Sequence, residues 1–318
     1  MRLITRDHGP DASRAARDFL AIEGMRPDEL RALLDGAERL LPAAVGDVAV
    51  DQKLRGKVVA NIFFEDSTRT RVSFEIAAKR LGAEVVNLGA SGSSASKGES
   101  LVDTARNIEA MGVDAIVVRT SISGGARLVS QHVRCPVINA GDGRHEHPTQ
   151  ALLDMLSLRL RLGDIAGKRL AIVGDIANSR VARSATHAAV MLGAEVIVVG
   201  PPSLVPSGFE AIASGSITIT HDLDSIIGEV DAIMMLRIQT ERAAGGGIAP
   251  DYRAAYGLTV HRRMKLRAGT AILHPGPVNR GVEIDDAVAD DASDSVILAQ
   301  VSCGVAARMA VLLRAIGS

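Results

Sequence analysis

Ser67-Thr68-Arg69-Thr70-Arg71 sets hydroxyls and guanidinium groups side by side, directly after the apolar run Val58-Val59-Ala60-Asn61-Ile62-Phe63-Phe64. In the segment that follows, Phe74, Ala77, Ala78 and Leu81 recur at helical spacing. A buried strand, a polar turn and a helix together form an anion site. The first free N–H groups of the helix face the ligand, the helix dipole favours negative charge, and hydroxyls and guanidinium add donors. An ordinary helix cap at Ser67 or Thr68 would use one hydroxyl. Four consecutive donors exceed that need, and a phosphate or carboxylate is the expected ligand.

Ligands of open α/β sheets bind beyond the carboxyl ends of the strands. Arg119 ends one apolar run, His147 follows another after a turn, and Arg180 follows Val173-Gly174-Asp175. Arg237 follows Met234-Met235-Leu236, and His274 ends the last run. One arginine at such an end is usually a surface charge, and one histidine usually a hydrogen-bonded structural residue. Their recurrence points to a shared edge built for anions. His145-Glu146-His147 alternates as some metal ligands do, but Pro148-Thr149-Gln150 turns the chain into a helix, and no Cys or further His follows at ligand spacing. No metal is expected, and His147 is read as a donor to a carbonyl oxygen.

Gly174-Asp175-Ile176-Ala177-Asn178-Ser179-Arg180 stands where a dinucleotide fold would carry G-x-G-x-x-G, and lacks it. A Rossmann-like sheet is expected there without a nicotinamide, and Arg180 suits a carboxylate. Ser91 to Glu99 is rich in small polar residues with one cation, Lys97, and reads alone as a flexible loop. From Ser100 to Met111 helical periodicity resumes, with Leu101, Ala105, Ile108 and Met111 on one face.

The elements that must position these groups are legible as short β-branched runs between amphipathic or Ala-rich segments. They are 58–64, Glu84–Leu88, Ala115–Arg119, Pro136–Ala140, Arg169–Asp175, Glu195–Gly200, Ile217–Thr220, Ala232–Leu236 and Thr270–His274. Continuous apolar strands alternating with helices predict parallel sheets covered on both faces. The fold class is therefore α/β, with two doubly wound parallel-sheet domains linked by helices. The boundary is placed at the Gly141-Asp142-Gly143 turn and the helix starting near Pro148. This gives a first domain of 1–149, to which a C-terminal helix within 292–318 returns, and a second of 150–291. Gln239–Pro250, with Gly245-Gly246-Gly247, reads as a long polar loop, either a segment that moves at an active site or a surface excursion.

The bulk numbers exclude several function classes. At 318 residues the chain has room for two cores. With 47% apolar and 23% charged residues it is globular in composition, and its net charge of −1 offers no global basic field for nucleic acid or anionic membrane. Aromatics at 2%, without Trp, argue against stacking platforms for single strands. Cys135 and Cys303 form no metal or redox spacing, which fits a reducing cytoplasm. Met1 to Leu20 has no apolar signal region. Val296 to Ile316 is apolar but interrupted by Gln300, Ser302, Arg308 and Arg314, and predicts a buried terminal helix, not a membrane span.

Together these segments closely resemble the catalytic chains of the aspartate carbamoyltransferase family. The resemblance is carried by Phe64-Glu65-Asp66-Ser67-Thr68-Arg69-Thr70-Arg71, the Ser93 to Glu99 loop, Arg119, His147-Pro148-Thr149-Gln150-Ala151-Leu152, Arg180, Arg237-Ile238-Gln239 and His274-Pro275-Gly276-Pro277-Val278-Asn279-Arg280-Gly281. These run in family order over nearly the whole chain. Ser-Thr-Arg-Thr and His-Pro-Thr-Gln are common to carbamoyltransferases, whereas His-Pro-Gly-Pro selects the aspartate branch. Ornithine enzymes typically have a Cys after the His and a Ser-Met-Gly signature, which is missing here.

The resemblance implies transfer of the carbamoyl group of carbamoyl phosphate to L-aspartate in pyrimidine biosynthesis, without cofactor. It implies that Ser67, Thr68, Arg69 and Thr70 bind the phosphate, that Thr70, Arg119 and His147 surround the carbonyl oxygen, and that Gln150 holds the carbamoyl nitrogen. Ser93 and Lys97 would reach into a neighbouring subunit's site, making a homotrimer the minimal catalyst. Arg180, Arg237 and Gln239 would bind the aspartate carboxylates, with Lys97 and backbone groups of Gly276 and Pro277 completing the pocket. Glu65 would pair with arginines of the second domain, Arg180 and Arg242 among them, on closure. Gly276 stands where some family members carry Leu, and Ala177-Asn178-Ser179 replaces a Lys-Tyr-Gly sequence; neither removes a residue the chemistry depends on. Whether regulatory chains or a dihydroorotase join the trimer is left open by the motifs.

Overall fold

The computed structural model of the chain describes residues 17–49, 51–89, 98–238 and 251–317. Ser93, Lys97 and the whole Gln239–Pro250 loop, with Gln239 and Arg242, lie outside the described residues.

All nine expected strands form, and all pair in parallel. β1 (Val58–Phe63), β2 (Glu84–Gly89), β3 (Ala115–Thr120) and β4 (Val137–Asp142) make a sheet of order β2-β1-β3-β4. β5 (Arg169–Val173), β6 (Glu195–Val199), β7 (Ile217–Thr220), β8 (Ala232–Met235) and β9 (Ala271–Leu273) make a second, of order β7-β6-β5-β8-β9. In each sheet the chain runs outward from an inner strand, then restarts on the other side. The resulting switch points, β1/β3 and β5/β8, open crevices at the carboxyl ends where a ligand can lie. Arg69 and Arg119 issue from the first, Arg180 and Arg237 from the second.

The helices, in chain order, are α1 (Pro27–Val45), α2 (Thr68–Arg80), α3 (Leu101–Ala110), α4 (Gly125–Ser130), α5 (Pro148–Leu162), α6 (Arg180–Met191), α7 (Tyr252–Tyr256), α8 (Val260–Arg263), α9 (Asp286–Ala289) and α10 (Ile297–Ile316). One large apolar core runs from the inner face of the first sheet to that of the second. It passes through Leu152, Met155 and Leu156 of α5 and Met309 and Leu312 of α10. Two smaller cores fill the outer faces, around Ile116 and Val129 in the first half and Ile233 and Leu258 in the second. A helix long and apolar enough to cross a membrane is present in α10, and 61% of that apolar stretch is buried within the protein. It packs against α1, α5 and α2, as expected of a terminal core helix.

Two local expectations are corrected. Gly141 and Asp142 are not yet the turn but the last residues of β4, and the turn falls at 143–145. The β3–β4 register gains a residue on β4 between the pairs Val118–Asn139 and Thr120–Asp142. The Asn139 side-chain oxygen accepts the Gly141 N–H at 2.8 Å across this irregularity. A Gly-Asp pair reads as a turn from sequence, whereas here Gly supplies the backbone freedom a bulge needs (φ +113°). Met111 does not share the buried face of Ala105 and Ile108: it caps α3 and is 76% exposed.

Candidate active site

A cleft of about 580 Å³ opens between the carboxyl ends of the two sheets, a volume suited to small-molecule ligands. Its walls bring together Ser67, Thr68, Arg69, Thr70, Arg119, His147, Gln150, Arg180, Arg237, Gly276 and Pro277, together with Glu65, His274 and Arg308. Residues from 65 to 308 in the chain thus meet in one place.

The donor cluster heads α2. Ser67 is the N-cap residue, and its side chain makes no capping hydrogen bond. Capping is therefore not what the hydroxyl does here. The first turn of α2 holds no acidic residue, so the helix's positive end is not neutralised from within. Arg69 reaches across to the loop after β9. A Cβ on Gly276 (φ +65°) would stand 2.8 Å from the Arg69 guanidinium carbon, so glycine at 276 both permits the backbone and makes room for the arginine. A Leu at this position would need a rearranged rim. Burial, and then the nearby Arg237, lowers the pKa of Arg69 and makes its cation more costly without an anion to face.

Arg119 and Arg180 meet on one carboxylate. Glu65 Oε1 accepts from Arg119 Nη2 at 3.0 Å and from Arg180 Nη2 at 2.8 Å, while Oε2 accepts from Arg180 Nη1 at 3.0 Å. Backbone carbonyls hold the same guanidiniums from behind: Ala140 accepts from Arg119 and Gly143 from Arg180. Arg180 opens α6, which is capped by the Ser179 hydroxyl accepting the Ala182 N–H at 3.1 Å; Asn178 is tied to Asp175 through its amide. The departure at Ala177-Asn178-Ser179 therefore still builds a well-formed helix start under Arg180.

His147 precedes α5, whose first residue is Pro148, suited to a position with no N–H to satisfy. Its backbone N–H donates to Ser184 Oγ at 2.8 Å, and its ring Nδ1 is buried without a hydrogen-bond partner. Burial, and then the charges of Arg119, Arg180 and Arg308, holds the imidazole pKa well below its ordinary value. His147 is thus a neutral ring among cations, able to donate one hydrogen bond but not poised to carry charge. The rest of the His-Glu-His stretch is structural. His145 pairs with Asp142, and Glu146 accepts the N–H groups of Ile22 and Glu23 and the Ser184 hydroxyl. Glu146 also lies close to Glu23 and His187, the one group of three or more His, Cys, Asp or Glu among the described residues whose ligand atoms all fall within 4.8 Å of one another. Its carboxylate is already engaged by those three donors.

Sequence reasoning missed Arg308 and Asp154. Arg308 lies on α10, buried, with Nη1 donating to Gly304 O at 2.9 Å and its guanidinium 5.2 Å from the centre of the Phe74 ring. Burial pushes its pKa down to about 9 against the opposing pull of Asp154. The available signal was an arginine in the middle of an apolar helix, which on sequence alone reads only as an argument against a membrane span.

The comparisons with known proteins agree with this geometry. Residues 17–160 match the carbamoyl-phosphate-binding domain of aspartate/ornithine carbamoyltransferases, and residues 166–315 match the aspartate/ornithine-binding domain. The chain belongs to the aspartate/ornithine carbamoyltransferase family. Within that family, the aspartate carbamoyltransferase catalytic subunit of Myxococcus xanthus is 53% identical, over 93% of this chain and 98% of its own. That of Mycobacterium marinum is 50% identical over 93% of this chain and 94% of its own. The solved aspartate transcarbamoylase of Trypanosoma cruzi in complex with carbamoyl aspartate and phosphate superposes with a TM-score of 0.85 at 29% identity, covering 96% of this chain and 98% of that one. The ornithine carbamoyltransferase of Pyrococcus furiosus superposes almost as well (TM-score 0.84, 29% identity, 95% and 98% covered). The shared backbone therefore serves both acceptors, and the acceptor must be decided by side chains and by the nearer sequence relatives.

Proposed function

We propose that this cleft transfers the carbamoyl group of carbamoyl phosphate to the amino group of L-aspartate, giving N-carbamoyl-L-aspartate and phosphate for pyrimidine biosynthesis. The carrying observation is that a phosphate-type helix terminus with Arg69 and two further arginines, Arg180 and Arg237, face one cleft. Both substrates are anions, and that many cations in one place can hold them in contact. Ornithine, with its cationic side chain, would be repelled by Arg180 and Arg237, and aspartate is the acceptor for which the nearer relatives are named.

In this reading Ser67, Thr68, Arg69 and Thr70 hold the phosphate, and Gln150 the carbamoyl nitrogen. Arg180, Arg237 and Gln239 take the aspartate carboxylates, beside backbone groups of Gly276 and Pro277. The amine lone pair attacks the carbonyl carbon, and an oxyanion develops that Thr70, Arg119 and neutral His147 stabilise. Each such donor typically contributes ~3 kcal/mol. The carbon–oxygen bond to phosphate then breaks, and the departing phosphate, its charge already matched by Arg69 and the helix end, accepts the amine proton. Trapping both reactants in contact supplies much of the remaining acceleration, on the order of several kcal/mol. This chemistry calls on no metal or organic cofactor.

The functional unit in this reading is a cytoplasmic homotrimer in which Ser93 and Lys97 complete the neighbour's site, with Lys97 also reaching the aspartate. The two domains divide at 149/150, with 292–318 returning to the first. The test is phosphate release from carbamoyl phosphate with L-aspartate, L-ornithine or no amine. Release that depends on aspartate supports the proposal. Release with ornithine alone moves the acceptor, and silence with both from a folded trimer rejects transfer.

A further inference from the structure

Beneath the cleft, the side chains of Asp154, Gln300, His274 and Glu283, which the reaction as described does not use, form a buried polar chain that joins Gln150 at one end to the Gly276 backbone at the other. Asp154, on α5 and fully buried, accepts two amides on one oxygen: Gln150 Nε2 at 2.9 Å and Gln300 Nε2 at 2.7 Å. Its other oxygen, Oδ2, is buried without a hydrogen-bond partner. Gln300 in turn accepts the backbone N–H of His274 on Oε1 at 3.0 Å. His274 Nδ1 accepts the N–H of Gly276 at 2.8 Å, and its Nε2 donates to Glu283 Oε1 at 3.1 Å.

The donor roles along this chain are forced. A backbone N–H can only donate, so Gln300 must offer its carbonyl oxygen to His274 and its NH2 group to Asp154. Asp154 Oδ1 is thereby an acceptor, and Gln150 must also present its NH2 group to it. The Gln150 amide is then fixed with its carbonyl oxygen on the side away from Asp154, in a residue that lines the cleft. A flipped amide would turn the Gln150 NH2 group, a donor, toward the donor NH2 group of the substrate and set its oxygen against the acceptor Oδ1 of Asp154, a costly arrangement.

We infer that Asp154 is a positioning residue that holds Gln150 as an acceptor for an NH2 group on the donor substrate and, through Gln300 and His274, sets the Gly276 loop on the acceptor side. The inference rests on the proposed function and adds a specificity device to it: recognition of the carbamoyl amino group depends on a carboxyl that never touches it. The burial that pushes the Asp154 pKa up to about 7 is consistent with this, since a proton on the unpartnered Oδ2 leaves Oδ1 free to accept both amides.

The test compares carbamoyl phosphate with acetyl phosphate, which carries a methyl group in place of the amino group, in the wild-type trimer and in Asp154→Leu and Asp154→Asn. Wild type should favour carbamoyl phosphate. Asp154→Leu should narrow that preference about tenfold, the scale of one hydrogen bond, with inorganic phosphate affinity unchanged. Asp154→Asn keeps an acceptor at Oδ1 and should keep the preference. An unmoved preference in Asp154→Leu, an equal loss for all three ligands, or loss in Asp154→Asn as large as in Asp154→Leu overturns the inference alone. Absence of aspartate-dependent turnover in wild type overturns the proposed function and this inference with it. Should Asp154→Leu not fold, Gln300→Leu reads the other branch. It should raise the aspartate KM about tenfold with the donor preference kept, and an unchanged aspartate KM overturns the link to the acceptor loop.

Discussion

Glu65 grips Arg180 by both carboxylate oxygens, at 2.8 and 3.0 Å, and so ties the loop after β1 of the first sheet to the start of α6 on the second. The same Oε1 also takes Arg119 at 3.0 Å. Two effects of removing this charge oppose each other. Losing a carboxylate raises the positive potential and should strengthen anion binding, whereas losing the bidentate grip lets Arg119 and Arg180 leave their aligned positions. Misplacing catalytic groups by about 1 Å can cost on the order of a hundredfold in rate, so alignment should win. Glu65→Gln is expected to lower kcat by about that factor while inorganic phosphate binds no more weakly than in wild type, as steady-state kinetics and phosphate titration will read.

In the proposed reading Arg237 serves the acceptor and not the donor. It sits close enough to Arg69 for its charge to lower that residue's pKa, so its removal relieves a repulsion on the phosphate side while taking a guanidinium from the acceptor side. Arg237→Ala should weaken kcat/KM for aspartate by about a hundredfold, the scale of ~3 kcal/mol for a desolvated charge contact. Carbamoyl phosphate should bind nearly as before. Equal loss for both substrates would contradict this division of labour.

His147 should remain neutral in the ligand-free protein at pH values where an ordinary histidine is half charged, because burial and three arginines oppose its proton. Ring nitrogen shifts in a 15N-histidine-labelled sample test this directly. The linkage follows in sign. Below about pH 6.5 the unfolded chain binds a proton at this residue that the native protein refuses, so stability falls as pH is lowered through that region. His147→Gln should remove that increment of the slope. A cationic His147 signal at pH 6 would sink the assignment of a neutral donor.

A shared site makes a prediction about mixtures. Arg69→Ala and Lys97→Ala chains, each inactive alone as trimers, should regain activity once subunits exchange, since some hybrid sites then hold both residues intact. Verified exchange with no recovery would show that each chain completes its own site.

Why so much was legible, and where reading stopped, is physical. Strands buried on both faces are written as unbroken apolar runs, so β1 to β9 could be found one by one, and the residues just past them fell into one cleft because parallel strands all point their carboxyl ends the same way. Gly141-Asp142 was read as a turn because a bulge and a turn use the same residues. Met111 obeys helical spacing but lies at the end of α3, where no element among the described residues covers it. Arg308 and Asp154 are charged residues on the buried faces of α10 and α5. Periodicity reports such residues only as interruptions, and their meaning depends on what packs opposite: Phe74 for the first, Gln300 from 146 positions away for the second.

The most direct measurement follows the bond the site is proposed to make. Carbamoyl phosphate labelled with 13C at the carbonyl is mixed with 15N-labelled L-aspartate and the purified protein, and the carbon is followed by NMR. Transfer predicts a ureido carbon split by one-bond coupling to the aspartate nitrogen, growing in step with phosphate. Phosphate released while the carbon appears only as its hydrolysis product, with no coupling to nitrogen from aspartate, would contradict the account.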